Sequence, residues 1–132
     1  MESRTRRLAR LARFLDQQKA SLAARQAALA AQARAIDERR RELLRTVDGA
    51  LAAHGLFIDL LAAGVKRLDA KAQDLKRHEA SLAVAMRDNA RRLRLVEAWQ
   101  AGAAQDEARE REKQDLMELI DTASGASFRK GP

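Results

Sequence analysis

Residues 8–43 read LARLARFLDQQKASLAARQAALAAQARAIDERRREL, and they place one large aliphatic residue at every seventh position. This column comprises Leu8, Leu15, Leu22, Leu29, Ile36 and Leu43. A second column with the same spacing comprises Leu61, Leu68, Leu75 and Leu82. An apolar period of seven residues that is sustained over several repeats predicts helices that supercoil and pack along a seam. The chain is therefore predicted to be all-α.

The composition supports long helices and argues against a sealed pocket. The chain has 132 residues, of which 34% are charged and 3% aromatic, with one proline and six glycines. Alanine, leucine, arginine, glutamate and lysine dominate, as is typical of coiled coils. With few large side chains, only a thin apolar stripe is available for burial. The chain contains no cysteine and no apolar run long enough to cross a bilayer.

Charge is distributed unevenly along the chain. The net charge is +7, and residues 4–13 contain five arginines and no acid. Residues 106–121 reverse the sign, with seven acidic side chains against three basic ones. An acidic partner surface and salt-sensitive association are expected for the basic part.

The first helix is predicted over 4–47, because no proline or glycine interrupts this stretch. Ser3 or Thr5 is expected to cap its first turn. Three residues after each member of the column the residues are mostly polar, and four residues after it only half of them are apolar, as alanine or valine. The column is therefore expected to form a close but only modestly stable contact with a second helix.

A turn is predicted at 48–56, where Gly49 and Gly55 lie six residues apart. Glycine weakens a helix interior and is common just past a helix end, where φ is positive. The second helix is predicted over 57–123 and a loose tail over 124–132. Together the two helices are predicted to form one antiparallel coiled-coil hairpin over 1–132, with the second helix longer and overhanging.

The second helix presents a seam with alternating four- and three-residue steps. Its members are Leu61, Val65, Leu68, Ala72, Leu75, Glu79, Leu82, Met86, Asn89, Leu93 and Val96. Glu79 and Asn89 interrupt it, and a snorkelling side chain or a register-fixing polar group explains them better than catalysis does. After Val96 the seam thins to Gln100, Ala103, Glu107, Glu110 and Gln114, and then continues at Met117 and Ile120. The last 20 or so helical residues are expected to overhang without a partner.

No arrangement of residues suggests catalysis or cofactor binding. His54 and His78 are too few and too far apart for a metal site, and His78 is not followed by a second histidine four residues on. Neither a glycine-rich phosphate loop nor a nucleophile with a neighbouring base is found. The sequence predicts no enzyme, no cofactor and no small-molecule substrate.

Two features of the chain can be compared with known families. One is the predicted hairpin of uneven helices with a basic body. The other is the stretch RRLRLVEAWQ at 91–100, which is followed by alternating charges through Met117-Glu-Leu-Ile. In length, hairpin pattern and charge, residues 4–121 resemble the FliJ family of flagellar export proteins and its counterparts in virulence type III secretion systems. The chain departs from that family in being rich in alanine and arginine.

The resemblance implies a non-enzymatic stalk, or adaptor, in the export apparatus. Such a stalk lies in the pore of the hexameric secretion ATPase and couples it to the export gate protein and to export chaperones. It implies a cytoplasmic monomer, peripheral at the inner-membrane export apparatus. The ATPase-facing residues would be Arg4, Arg6, Arg7, Arg10, Arg13 and Trp99. The gate-facing residues would be Leu56, Phe57 and Leu60.

Blander interpretations exist for each of these residues. Trp99 would equally serve as a core residue that closes the hairpin against Leu8 or Leu11. The arginines would form a solvated helix face. Leu56, Phe57 and Leu60 would simply cap the hairpin.

Three other functions fit the same composition. A basic zipper dimer that binds nucleic acid is one, but the arginines are interleaved with the leucines and include no base-reading asparagine, so no specific nucleic acid is expected. Peripheral membrane contact through the amphipathic stretch 4–14 is the second. A generic coiled-coil scaffold, in the form of a continuous parallel rod, is the third.

Overall fold

A computed structural model shows two long α-helices and no strand among the residues it describes. The described backbone covers residues 2–50 and 55–129, and side chains are described over 2–49 and 57–125. Helix α1 spans Arg4–Ala50 and helix α2 spans Gly55–Arg129, with 47 and 75 residues. The two helices pack against each other, which confirms the predicted all-α helical hairpin with a longer second helix.

The chain divides into two compact units. One comprises residues 1–15 and 91–132, and is called the terminal unit here; the other comprises residues 16–90 and is called the central unit. Each unit contains a segment of both helices.

In the central unit the helices run antiparallel. The Arg40 guanidinium on α1 lies 3.0 Å from the Asp69 carboxylate on α2. Gln26, which precedes Arg40 on α1, lines the same groove as Met86, which follows Asp69 on α2. Rising numbers on one helix therefore face falling numbers on the other. At Gly64 the helices lie so close that an added Cβ would sit 3.4 Å from the Leu43 side chain.

In the terminal unit, Ser3 immediately precedes α1 and caps its first turn. The backbone N–H of Arg6 donates to Ser3 Oγ at 3.3 Å, and that of Arg7 donates to the Ser3 carbonyl at 3.1 Å. These bonds satisfy donors that have no partner inside the helix. Of the two expected caps, Ser3 is the one used. The Thr5 hydroxyl instead donates to the Glu107 carboxylate on α2.

The most deeply buried apolar side chains follow the predicted columns. Leu8 and Leu15 on α1 are buried, as are Leu82, Val96 and Ala103 on α2. Every other predicted seam residue of α2 from Leu61 to Val96 is at least half-buried except Glu79, which is exposed. The thin seam is therefore confirmed, and Glu79 keeps its carboxylate in water as a snorkelling side chain does.

Asn89 is the buried polar side chain in the described part of the chain, at 4% exposure. It occupies a seam position, as the sequence predicted. Its Oδ1 atom has no hydrogen-bond partner among the described residues, although the residue itself does have an interaction partner. A single buried amide in a coiled-coil seam favours one register over others.

The predicted helix ends need correction. Helix α1 continues to Ala50 rather than stopping at 47, and α2 begins at Gly55 and continues to Arg129, through most of the predicted loose tail. Gly49 lies inside α1, and no described glycine has a positive φ. Each extra helical residue forms a backbone hydrogen bond, and this outweighs the weak propensity of glycine. Residues 51–54 of the predicted turn and residues 130–132 of the tail lie outside the described part.

Among the described residues, α2 contacts α1 as far as Asp106, which lies near Arg4, and Glu107, which accepts from Thr5, so the overhang of α2 is the part after Glu107. Every described residue from 104 to 125 is exposed. The seam does not resume at Met117 and Ile120, which remain 67% and 62% exposed. The physical reason is that α1 begins at Arg4 and has no residue left to face them.

Candidate partner-binding surfaces

The five arginines that were assigned to the ATPase end lie on the first turns of α1 in the terminal unit. Arg4, Arg6, Arg7, Arg10 and Arg13 are all exposed. Arg4 Nη1 lies 4.0 Å from Asp106 on α2, and Arg10 Nη2 lies 2.6 Å from Glu2. Among the described residues, the other three form no ion pair, so their charge is available to an acidic partner.

Trp99 also belongs to the terminal unit, and its side chain is 47% exposed. This disfavours its interpretation as a core residue that closes the hairpin, a position that Val96 occupies at 2% exposure. Trp99 keeps about half of its surface for contact with water or with another molecule. Tryptophan and arginine are over-represented among the residues that dominate binding energy at interfaces.

The contact between Arg4 and Asp106 shows what faces Trp99. Leu11 lies seven residues after Arg4, and Trp99 lies seven residues before Asp106. In a coiled coil the same relation recurs after one heptad in each helix, so Leu11 and Trp99 are expected to lie across from each other. Phe14 and Leu95 lie one turn further along the same side. These four partly exposed residues, Leu11, Phe14, Leu95 and Trp99, are called the apolar patch here.

The gate-end residues lie at the start of α2 in the central unit. Phe57 and Leu60 are 63% and 68% exposed. Leu56 is in α2, but its side chain lies outside the described residues. Phe57 and Leu60 do not bury themselves as caps on the helix pair, and they present an apolar surface to solvent.

A further exposed apolar cluster lies outside the predicted partner-binding residues. It comprises Leu116, Met117, Leu119 and Ile120 on the overhang, each between 59% and 67% exposed. The sequence LMELI at 116–120 shows these apolar residues, but their spacing predicts a continuation of the seam. Only the position at which α1 begins shows that these residues have no helix to cover them.

The remaining features of the described residues are one histidine and one groove. The His78 ring nitrogen Nδ1 lies 2.7 Å from the Asp74 carbonyl one turn earlier, so His78 is an ordinary helix residue; His54 lies outside the described residues. In the described part, no three His, Cys, Asp or Glu side chains are placed to hold a metal ion. A groove of about 270 Å³ in the central unit is lined by Gln26, Ala30, Glu79, Leu82, Ala83 and Met86.

Neither described helix has a segment that is long and apolar enough to cross a membrane. Comparison with known proteins adds no relative, because no protein-family model, curated protein or solved structure matches the chain significantly.

Proposed function

We propose that this chain is a non-enzymatic stalk of a flagellar or type III secretion export apparatus. In this role it sits in the pore of the hexameric export ATPase and couples that ATPase to the export gate and to export chaperones. The observation that carries the proposal is the terminal unit, in which a charged α2 overhang follows an exposed cluster of arginines and Trp99. A stalk needs such an end, because the helix that enters the pore of the ring must present exposed charged and aromatic side chains to it.

The division of exposed residues supports two separate contacts. Arg6, Arg7, Arg13 and Trp99 belong to the terminal unit, whereas Phe57 and Leu60 belong to the central unit. The first set is basic and aromatic, and suits an acidic ring surface. The second is apolar, and suits a hydrophobic contact on the gate.

ATP hydrolysis by the export ATPase encoded in the same genome tests the ATPase contact. We expect the chain to bind the ring and to change its hydrolysis rate. The triple variant R6A/R7A/R13A and the single variant W99A should each weaken binding on the order of tenfold or more, since clustered charges and a tryptophan anchor are removed. The triple variant R25A/R34A/R45A is the matched control, because these arginines are also exposed on α1.

Failure has a clear form in this experiment. If the unmodified chain neither binds the ATPase nor alters hydrolysis, the stalk proposal is wrong. If both triple variants weaken binding equally, the contact depends on total charge and not on the terminal unit.

The gate contact has its own test. The variant F57S/L60S should lose binding to the export gate while it retains ATPase binding, since the substituted residues are exposed and lie in the other unit. Loss of both activities, or of neither, would contradict the assignment of these residues to the gate.

Non-specific nucleic-acid binding is the second candidate, and the exposure of all five terminal arginines favours it. Phosphate contacts of this kind are independent of base sequence and weaken steeply with salt. Binding of a DNA duplex as tight as binding of the ATPase, at equal salt, would favour this candidate over the stalk.

A further inference from the structure

A second stripe of residues runs along α2 in the terminal unit, beside the seam that packs on α1. Its two ends are apolar: Leu95 and Trp99 at one end, Leu116 and Ile120 at the other. The two pairs are separated by 21 residues, which is three heptads, so they lie on the same side of a supercoiled helix. All four side chains are between 47% and 62% exposed.

The middle of this stripe is polar and continues the alternation of four- and three-residue steps. It comprises Gly102, Asp106, Arg109 and Lys113. An added Cβ on Gly102 would meet nothing within 4 Å, and the side chains of the other three residues are exposed. Asp106 lies 4.0 Å from Arg4 of its own chain but remains open to a second basic partner. The stripe from Leu95 to Ile120 is called the outer stripe here.

The outer stripe is complementary to itself when it is reversed. Counting inward from its two ends, Leu95 corresponds to Ile120 and Trp99 corresponds to Leu116. The next pair is Gly102 with Lys113, which sets a long side chain against an open position. The central pair is Asp106 with Arg109, which are oppositely charged.

We propose that two copies of this chain associate through their outer stripes, antiparallel and about a twofold axis that passes near residue 108. Each apolar end then covers the apolar end of the other copy, and two equivalent Asp106–Arg109 ion pairs flank the axis. Such an interface uses the same surface on both copies, so it closes as a dimer and does not propagate into a filament.

The surroundings of the stripe favour a second copy over an unrelated helix. The apolar patch extends past Trp99 to Leu11 and Phe14 on α1, which are 39% and 54% exposed. Met117 and Leu119 flank Leu116 and Ile120 on the overhang. The copy that brings Leu116 onto Trp99 therefore also brings further apolar surface to the patch, and both exposed apolar clusters of the terminal unit are covered in one step.

Charge favours the same arrangement. Residues 106–121 of α2, most of which belong to the overhang, carry seven acids and three bases, whereas residues 4–13 of α1 carry five arginines. In the antiparallel dimer the acidic overhang of one copy lies along the terminal unit of the other, beside those arginines. A parallel pairing would set overhang against overhang, with like charges opposed.

This inference goes beyond the stalk and does not depend on it. Trp99 belongs both to the outer stripe and to the proposed ATPase-binding surface, so a chain in the dimer cannot present it to the ring. If the stalk proposal also holds, the dimer is the unbound form and the monomer is the form that the ATPase binds.

Site-directed cross-linking of the full chain tests the register directly. The chain has no cysteine, so the double variant G102C/K113C carries the only two thiols. The two sites are 11 residues apart on one helix, or about 16 Å at 1.5 Å per residue, beyond the reach of a short bis-maleimide. In the proposed dimer each site faces the other site of the second copy, and we expect one covalent dimer band.

The matched control is A104C/D115C, which has the same spacing on the opposite side of α2. Both of its positions are exposed, and neither belongs to the outer stripe. It should cross-link at least about tenfold less at equal concentration, since its thiols point away from the second copy. Equal cross-linking by the two variants, a ladder of higher species, or no covalent dimer from about 1 to 100 μM chain overturns the proposal.

A charge-swap experiment provides a second measurement. The variant R109D sets two carboxylates against each other at both sides of the axis, and should weaken dimerisation about three- to tenfold in sedimentation equilibrium. The double variant D106R/R109D restores opposite charges across the axis. Because Asp106 also lies 4.0 Å from Arg4 of its own chain, both variants are compared in an R4A background, where the double variant should recover most of that loss. If the double variant is weaker than R109D, the two residues do not face each other and the register is wrong. These measurements use the chain alone, so their outcome is separate from that of the ATPase assay.

Discussion

Ser3 is the residue that satisfies the first turn of α1, through its Oγ atom and the backbone N–H of Arg6. We expect Ser3→Ala to destabilise that turn by about 1 kcal/mol, because a backbone donor loses its acceptor. Hydrogen exchange of the amides of residues 4–8 measures the effect. Ser81→Ala, at an exposed position inside α2, is the control and should leave exchange unchanged. Equal exchange of the first-turn amides in Ser3→Ala and the unmodified chain would show that water replaces the cap.

Asn89 is the residue at which specificity and stability compete. It is 4% exposed in a seam that is otherwise apolar on either side. We expect Asn89→Leu to raise the free energy of unfolding by about 1–2 kcal/mol, because a buried amide is replaced by a side chain that suits the seam. Urea unfolding measures this change, and Asp88→Leu on the exposed face should alter it by about 0.5 kcal/mol or less. A loss of stability in Asn89→Leu would mean that the interactions of the amide outweigh the burial of leucine.

At the scale of an element, Gly49 is accommodated in the last turn of α1. It is helical, has no positive φ, and an added Cβ would meet nothing within 4 Å. We therefore expect Gly49→Ala to stabilise the chain by about 0.5–1 kcal/mol, since alanine is the better helix former and loses less backbone entropy. The reverse change at exposed Ala35 calibrates the scale in the same urea experiment. Destabilisation by Gly49→Ala would instead indicate a left-handed glycine at the helix end.

The elements also show how far pattern alone reaches. The heptad columns predicted both helices and nearly all of the buried positions on α2. Apolar residues that recur with the helical period lie on one face of the helix, and that face is the one that becomes buried. The helix ends were less predictable, because single glycines and a serine-rich tail contribute only about 1 kcal/mol each. Continued backbone hydrogen bonding exceeds such small preferences, and α2 extends to Arg129.

At the scale of the whole molecule, charge is segregated along the chain. The net charge is +7, and residues 106–121 contribute −4, so the remainder carries +11. We expect binding of any polyanion to be electrostatic: the affinity for a DNA duplex should fall at least about tenfold between 50 and 200 mM salt. Fluorescence anisotropy with two duplexes of unrelated sequence measures this. A preference for one duplex, or an affinity that salt does not change, would contradict non-specific phosphate contact.

The candidate surfaces were predicted only in part. The arginines, Trp99, Phe57 and Leu60 were selected for their residue types, and the structure places all of them at partly or fully exposed positions. The sequence related Trp99 to Leu8 or Leu11 only as a closed core contact, whereas the structure leaves Leu11 and Trp99 partly exposed. Phe14 and Leu95 were not predicted as part of the same patch, because its members come from two helices. The exposure of the cluster on the overhang was not predicted, because its spacing is that of a seam. Spacing alone does not show whether a second helix is present to cover it.

The sequence by itself determined the period, the helices and the faces that they bury, since these depend on residues a few positions apart along one chain. The tertiary structure alone decided where α2 outruns α1. That boundary follows from the antiparallel register, which depends on contacts between residues far apart, such as Arg4 with Asp106 and Arg40 with Asp69. The same side chains are core when a helix faces them and binding surface when none does, and for Leu116 and Ile120 only the register separates these outcomes.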